Sequence, residues 1–182
     1  ATQSHFHRDL AVRVHRSILS ERPRYRFFAE LAAMRALPGS RHLAPVLDGG
    51  LTAGGHPWTA RPTYPSRVVD HLARGPMSVT DVLRIGIEAA AGLQLLHAAG
   101  LVHGNLRPET LVLSPDNAVV LADPIVAGTG AELPATGAVP AHVAPEQLEG
   151  HLPGPASDIW TLASTLYQFL AGRAAYGREA GQ

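Results

Sequence analysis

Apolar and polar residues alternate near the start of the chain, over residues 10–15. Leu10, Val12 and Val14 fall on one face of an extended segment there, and Arg13 falls on the other. Alternation with a period of two is typical of a strand that buries one of its faces. The pattern therefore predicts a half-buried strand whose Arg13 side chain points into solvent.

A helical period follows over residues 24–37, which end at a Pro-Gly pair. Phe27, Leu31 and Met34 are spaced i, i+4 and i+7, so they share one face of an amphipathic helix. Glu30 lies on the edge of that face. From the local pattern alone, Glu30 is a surface residue that contacts an arginine on the next turn.

Between residues 42 and 65 the pattern predicts two strands joined by a Thr-Ala-Gly-Gly turn. The strand centres are expected at residues 46–47 and 58–60. Near Ser66 the composition changes from strand-like to helix-like, which marks the boundary between two parts of the chain. A short helix is expected just after it, over residues 68–73.

The clearest helix is predicted over residues 78–99. Ser78 is a good N-cap, and Asp81 follows it in an arrangement that resembles a capping box. Gly100 is expected to end the helix. Its apolar stripe consists of Val82, Ile85, Ala89, Leu93 and Leu96.

A β-hairpin is predicted next, because two short apolar runs at residues 111–113 and 118–121 flank a run of turn formers. A polar loop, residues 103–110, precedes the hairpin. The second strand delivers Asp123 to its end, where another polar loop begins. Two polar loops held side by side by one hairpin form a candidate site for chemistry.

Composition excludes several kinds of site. All fifteen basic residues are arginine, so there is no lysine for a Schiff base or for binding phosphate in a P-loop. Cysteine is absent, the formal net charge is zero and no basic block appears, so we expect no disulfide and no nucleic-acid partner. Neither a membrane span nor a signal peptide is recognisable, and we expect a cytoplasmic protein.

Several segments resemble the motifs of the protein kinase family and follow that family's order. Residues 103–110, His-Gly-Asn-Leu-Arg-Pro-Glu-Thr, resemble the catalytic loop. Residues 121–125, Leu-Ala-Asp-Pro-Ile, resemble the magnesium-binding Asp-Phe-Gly segment. The remaining matches are the Ala-Val-Arg-Val strand at 11–14, the Ala-Pro-Glu triplet at 144–146 and Ser-Asp-Ile-Trp-Thr-Leu at 157–162, whose Asp158 accepts hydrogen bonds from the catalytic loop in that family.

The resemblance implies an α+β, protein-kinase-like fold of two lobes, both incomplete. Residues 1–65 would form a small β-rich N-lobe, in which no glycine-rich loop precedes Ala11. Residues 66–182 would form a mainly helical C-lobe, in which Glu146 lacks the arginine that pairs with it in the family. Residues 125–140 are rich in glycine, alanine, threonine and proline and are expected to be mobile.

For nucleotide binding, the resemblance implies five positions. Ala11 would border the adenine, and Arg13 replaces the lysine that reaches the phosphates, with the same charge but a bulkier, planar group. Glu30 would be the helix glutamate that pairs with Arg13. Tyr64 would lie in the hinge and donate its amide to adenine, although prolines nearby remove two donors. Val112, on the hairpin, completes the set.

For phosphoryl transfer, the resemblance implies four altered or retained positions. Asn105 replaces the aspartate that accepts the proton of the substrate hydroxyl, and an amide cannot act as a base. Arg107 replaces the loop lysine. Thr110 replaces the asparagine that binds a second magnesium ion, for which a hydroxyl is a poorer ligand. Asp123 is retained as a magnesium ligand, but Pro-Ile follows it in place of Phe-Gly.

These replacements favour a pseudokinase-like domain with a regulatory or scaffolding role and at most weak nucleotide binding. Two alternatives remain open: a divergent serine/threonine kinase that transfers the γ-phosphate of ATP to protein hydroxyls, and a remnant that folds poorly. ATP and magnesium are the cofactors to test, and their binding is expected to be weak or absent. The sequence identifies no protein partner or substrate.

Overall fold

The computed structural model of the protein describes residues 2–3, 8–16, 18–124, 126 and 141–176. Its strands are β1 (Thr2–Gln3), β2 (Arg8–Val14), β3 (Asp48–Leu51), β4 (Pro57–Pro62), β5 (Ser66–Arg67), β6 (Leu111–Leu113) and β7 (Val119–Leu121). Its α-helices are α1 (Glu21–Arg35), α2 (Val79–Ala98), α3 (Pro145–Leu148) and α4 (Pro155–Ala171), and two 3-10 helices span Val68–Arg74 and Pro108–Thr110. Most of residues 125–140 lie outside the described part.

Four antiparallel strands form the first sheet, in the order β1, β2, β4, β3. Helix α1 packs beside it and buries Phe27, Leu31 and Met34, as the helical period predicts. Leu31 lies against β3, where a Cβ added to Gly49 would come within 2.8 Å of its side chain. The helix begins earlier than residue 24, because Ser20 takes the N-cap position with an extended backbone.

The two faces of β2 are exposed in the opposite sense to the prediction. Val12 and Val14 are 43% and 56% exposed, whereas Arg13 is half-buried. The expectation that Arg13 points into solvent was therefore wrong. Alternation identifies the two faces of a strand but not the one that turns inward. Here the polar face turns inward because it meets a polar loop, where Arg13 Nη1 lies 3.5 Å from the carbonyl oxygen of Asp123.

The strands after α1 differ from the prediction at one position. Residues 58–60 lie within β4 as expected, but residues 46–47 precede β3 instead of forming its centre. The Leu47 amide does donate to the Ala60 carbonyl at 2.8 Å, so the approach to the sheet begins there. The predicted turn between these strands is present, and the Gly55 amide donates to the Thr52 carbonyl at 2.9 Å.

The predicted hairpin forms the second sheet, in the order β5, β6, β7. Its register pairs Leu111 with Leu121, and all three residues of each hairpin strand are buried. The chain at His42 runs beside β7, where the Leu121 amide donates to the His42 carbonyl at 3.0 Å. The hairpin is therefore held between β5 and this segment, and its end, just before Asp123, is fixed on both sides.

Helix α2 is the central support of the second sheet. Ser78 caps it, with its Oγ accepting from the Asp81 amide at 3.1 Å, and the predicted apolar stripe is buried. Gly100 follows the helix with a φ of 71°, a conformation that favours glycine. The predicted short helix after Ser66 is the 3-10 helix Val68–Arg74. None of the described helices is both long and apolar enough to cross a membrane.

Replacing Gly92 by alanine is expected to destabilise the fold. Gly92 lies on the buried side of α2, and an added Cβ would stand 2.3 Å from the backbone carbonyl oxygen of His42. Because that backbone also pairs with β7, it cannot retreat freely. We expect a loss of about 1–3 kcal/mol in the free energy of unfolding, measured by urea denaturation.

Gly86→Ala in the same helix is the matched control. Its Cβ would meet only the side-chain end of Leu166, at 3.0 Å, which can rotate away. The gain in helix propensity should then leave stability unchanged or slightly higher. An equal loss in both variants would contradict the packing assigned to Gly92.

Candidate functional site

The buried carboxylate of Asp158 holds the polar loop that precedes the hairpin. Asp158 lies in the first turn of α4 and is 1% exposed. One of its oxygens accepts from the His103 amide at 2.8 Å and from His97 Nε2 at 2.8 Å, and the other accepts from the Gly104 amide at 2.8 Å. The predicted role of Asp158 as an acceptor for this loop's backbone is confirmed.

His103 links the loop to the end of β7. Its ring is fully buried, with Nε2 donating to the Ala122 carbonyl at 3.1 Å and Nδ1 accepting from the Asn105 amide at 3.4 Å. Burial lowers the pKa of His103 below its ordinary value, against the opposing effects of the Asp158 charge and the Ala122 hydrogen bond. His103 is therefore a neutral structural residue of the site.

The backbone of Asp123 gathers side chains from both parts of the chain. Its carbonyl accepts from Asn105 Nδ2 at 3.0 Å and lies 3.5 Å from Arg13 Nη1. Asp123 has a φ of 59°, which is rare for a residue other than glycine and is sustained by these contacts. The structure thus brings together three of the residues that the sequence singles out.

The carboxylate of Asp123 is bound by Arg61, a residue that the sequence analysis missed. Arg61 Nε donates to Oδ1 at 2.6 Å and Nη2 donates to Oδ2 at 3.2 Å, which makes a bidentate ion pair. Burial alone would raise the pKa of Asp123, but the hydrogen bonds and charge of Arg61, together with the charge of Arg13, hold it below its usual value. Asp123 is therefore ionised and paired at neutral pH.

Arg61 is further fixed by its own strand and by a neighbouring ring. It lies in β4 opposite Ala11 of β2, and its Nη1 donates to the Pro62 carbonyl at 3.0 Å. Its guanidinium carbon lies 5.8 Å from the centre of the Tyr64 ring, within the range of a cation–π contact. The resemblance to the family hinge concerns only the backbone donors of residues 61–64, and nothing in the sequence pattern indicates a role for the Arg61 side chain.

Of the residues expected around the adenine, Val112 and Tyr64 lie together. Val112 is buried in a small cluster with Ala44, Val120 and Ala122, and Tyr64 packs against that cluster. Burial raises the pKa of Tyr64, and the Arg61 charge offsets part of that rise. Ala11 lies on strand β2 of the first sheet and is half-buried. Their assignment to an adenine site stays a prediction.

Thr110 does not present its hydroxyl to a metal ion. The side chain is buried, its Oγ1 donates to the Arg107 carbonyl at 2.9 Å and it accepts from the Arg107 amide at 3.0 Å. This closed turn is a structural use of the hydroxyl, so the predicted metal role finds no support in its geometry. The Arg107 side chain is half-exposed, with its Nε 3.8 Å from a Glu109 oxygen.

The side chains around Asp123 do not fit a divalent metal ion as they are arranged. A magnesium site draws on carboxylate oxygens and prefers octahedral oxygen coordination. Here both oxygens of Asp123 accept from Arg61, and Thr110 is committed to its own turn. Among the residues that the structure describes, no cluster of three or more histidine, cysteine or carboxylate side chains could hold a metal ion.

Two predicted carboxylates lie outside this centre. Glu30 is half-buried on α1, and its pairing with Arg13 stays a prediction. Glu146, expected to lack the arginine that pairs with it in the family, accepts a hydrogen bond from the Ser157 hydroxyl. That hydrogen bond lowers the pKa of Glu146 and joins α3 to the start of α4.

Comparison with known proteins shows which protein family this chain resembles. Residues 2–179 match the family model described as protein tyrosine and serine/threonine kinase. The chain is similar to serine/threonine-protein kinase PknK of Mycobacterium bovis, at 36% identity over an alignment of 181 residues that covers 96% of this chain and 16% of PknK. It is also similar to PknL of Mycobacterium tuberculosis, at 32% identity over an alignment of 154 residues that covers 81% of this chain and 38% of PknL.

Among solved structures, the chain is similar to the kinase domain of Mycobacterium tuberculosis PknI. The TM-score is 0.75 at 26% identity, and the match covers 95% of this chain and 68% of that chain. The expected α+β, kinase-like fold, with a small sheet region and a helical part, is confirmed. The chain spans less than two fifths of the length of PknK or PknL.

Acidification is expected to weaken the fold through His103. Its pKa is depressed in the folded protein but is about 6.5 in the unfolded chain, so below about pH 6.5 only the unfolded chain takes up the proton. Stability from this residue is therefore full above that pH and falls as the pH drops further. We expect up to about 1.4 kcal/mol lost per pH unit, measured by urea denaturation between pH 7.5 and 5.5.

His103→Gln removes this titrating ring and should reduce the pH dependence while lowering stability at every pH. The remaining slope is expected from His142, whose pKa is also lowered by burial. His151→Gln, at an exposed position, is the control for the loss of a surface histidine. A slope that His103→Gln leaves unchanged would show that His103 does not cause the pH dependence.

Proposed function

The chain belongs to the protein tyrosine and serine/threonine kinase family, and on that premise we propose that it is a kinase domain with a regulatory or scaffolding role and impaired phosphoryl transfer. Phosphoryl transfer depends on positioning and on stabilising the charge of the transferred group, usually through bound metal. A domain that lacks those groups keeps the fold and its surfaces for binding. The proposal also includes weak nucleotide binding, a protein partner and a cytoplasmic site of action.

The Arg61–Asp123 ion pair carries this proposal. Magnesium in kinases is held by the carboxylate at the position of Asp123, and both oxygens of that carboxylate already accept hydrogen bonds. Charge-assisted bidentate pairs are among the strongest side-chain interactions, and this one is largely shielded from solvent. A metal ion would have to displace Arg61 before it could bridge the carboxylate and a phosphate.

Asn105 supports the same proposal. An amide has no basic site for the substrate's proton, and losing such a base typically costs about 10²–10⁴-fold in rate. In addition, the Asn105 side chain is held by the Asp123 carbonyl, 3.0 Å from its Nδ2. The residue thus holds two loops together instead of facing a substrate hydroxyl.

A second candidate is a divergent serine/threonine kinase. The observation in its favour is the similarity to PknK and PknL, which are both named as serine/threonine-protein kinases. Asp123 also remains at the end of β7, where a family metal ligand would stand. In this candidate, a conformational change would release Asp123 from Arg61 when substrates bind.

Transfer of radiolabelled phosphate from ATP separates the two candidates. The protein, purified together with any native sequence that flanks this chain, is assayed with magnesium on itself and on a generic basic protein substrate. We expect the wild type to match the Asp123→Ala variant, at background level, because Asp123 is not used in catalysis. Asn105→Asp should stay at background as well, because its carboxylate would meet the Asp123 carbonyl, to which Asn105 Nδ2 now donates, as a second acceptor and not as a free base.

An active serine/threonine kinase assayed in parallel serves as the positive control. Circular dichroism of each variant should show that the fold is kept. Transfer by the wild type that Asp123→Ala abolishes would overturn the proposal and establish the divergent kinase.

A further inference from the structure

The most unusual feature of the site around Asp123 is the positive side chain of Arg61, which lies at the carboxylate where a metal ion is expected to bind. Arg61 contributes one full charge to Asp123 through two donors. Its third donor group is held by the Pro62 carbonyl, and the Tyr64 ring lies 5.8 Å away. Contacts with three residues therefore fix the guanidinium in place, which distinguishes the pair from a transient contact between two surface side chains.

The pair is also better shielded than the exposed ion pairs elsewhere in the described chain. The side chains of Arg61 and Asp123 are 20% and 24% exposed, against 63% and 60% for Arg41 and Asp116. Exposed pairs contribute little, because water and salt screen them. Shielding reduces that screening, so the pairing of Asp123 with Arg61 is favoured more strongly than that of a surface pair.

A metal ion at such a carboxylate has two effects on a bound polyphosphate. It bridges the carboxylate and the phosphates, and it removes the repulsion between their negative charges. Arg61 provides the second effect from within the chain, because it neutralises Asp123 where the phosphates would approach. It does not provide the first effect, since three of its five N–H groups already donate to Asp123 and the Pro62 carbonyl and it has no coordination sites that could bridge the carboxylate and the phosphates as a metal ion does.

We propose that Arg61 is a built-in counter-cation that keeps divalent metal off Asp123, and that the site around Asp123 therefore binds a nucleoside triphosphate without metal. Arg13, whose guanidinium reaches the Asp123 backbone, adds positive charge at the same site. The inference rests on the nucleotide binding that the proposed function includes. It further identifies the residue that sets the metal requirement of that binding.

Binding of ATP in the presence and absence of metal tests the inference. The protein, with any native flanking sequence, is titrated with ATP in EDTA and in excess magnesium, and the dissociation constant is read by calorimetry and by the rise in melting temperature. For the wild type we expect binding in EDTA, with the two dissociation constants within about threefold, a difference well below the tenfold step of 1.4 kcal/mol.

Arg61→Met is the informative variant, because it removes the charge and keeps a side chain of similar length. The freed Asp123 should repel ATP in EDTA and bind manganese or magnesium together with ATP. We expect ATP affinity in EDTA to fall about tenfold or more, with recovery on adding metal, which amounts to about 1.4 kcal/mol. Manganese paramagnetic resonance should show a bound ion in this variant in the presence of ATP.

Two further variants keep the test decisive. Arg61→Met combined with Asp123→Asn removes both charges, so it should fold even where the single variant is unstable, and its ATP binding should not respond to metal. Arg41→Met breaks an exposed arginine–aspartate pair, with Nη2 and Oδ2 at 2.6 Å, and should behave as the wild type.

Two results would overturn the inference: no ATP binding by the wild type in EDTA, or equal metal dependence in the wild type and Arg61→Met. Neither result bears on impaired transfer, which the phosphate-transfer assay tests separately. Conversely, an active wild-type enzyme with metal-independent ATP binding would overturn only the proposed function.

Discussion

The buried carboxylate of Asp158 is the interaction on which the arrangement of the site depends. Removing a carboxylate from water costs several kcal/mol unless its oxygens are satisfied, and here two backbone amides and His97 satisfy them. The same hydrogen bonds also hold the loop at His103 in place. His103 in turn holds the Ala122 carbonyl, so α4, the polar loop and the end of β7 form one connected unit.

That connection explains which parts of the fold could be predicted from sequence. Helices α1 and α2 and the hairpin follow from local periodicity, because each buries a continuous stripe or run of apolar residues. The orientation of β2 could not be predicted in this way. The alternation of residues along β2 is compatible with either face turning inward. Only the polar loop of Asp123, more than a hundred residues away in sequence, decides that Arg13 turns inward.

The candidate site shows the same limit more sharply. Spacing and motif resemblance identified Asn105 and Asp123, and the structure does bring them together. They gave no indication that Arg61 occupies the carboxylate. The sequence pattern of a strand does not distinguish an arginine that faces solvent from one that reaches a half-buried carboxylate. The partner of Arg61 lies 62 positions further along the chain. Residue identity shows what a group can do, and only the fold shows with which group it does so.

Two departures from the kinase pattern, the asparagine at position 105 and the Arg61–Asp123 ion pair, are linked through Asp123. The Asn105 amide donates to the Asp123 carbonyl, whereas an aspartate at position 105 would place a carboxylate oxygen against that carbonyl, with two acceptors in contact. An aspartate at position 105 would therefore disturb the backbone of Asp123, which positions the Asp123 carboxylate. The backbone conformation of Asp123, with its positive φ, is the one in which its carboxylate meets Arg61. Asparagine at position 105 thus does more than leave out a base, because it stabilises the conformation in which Arg61 holds Asp123.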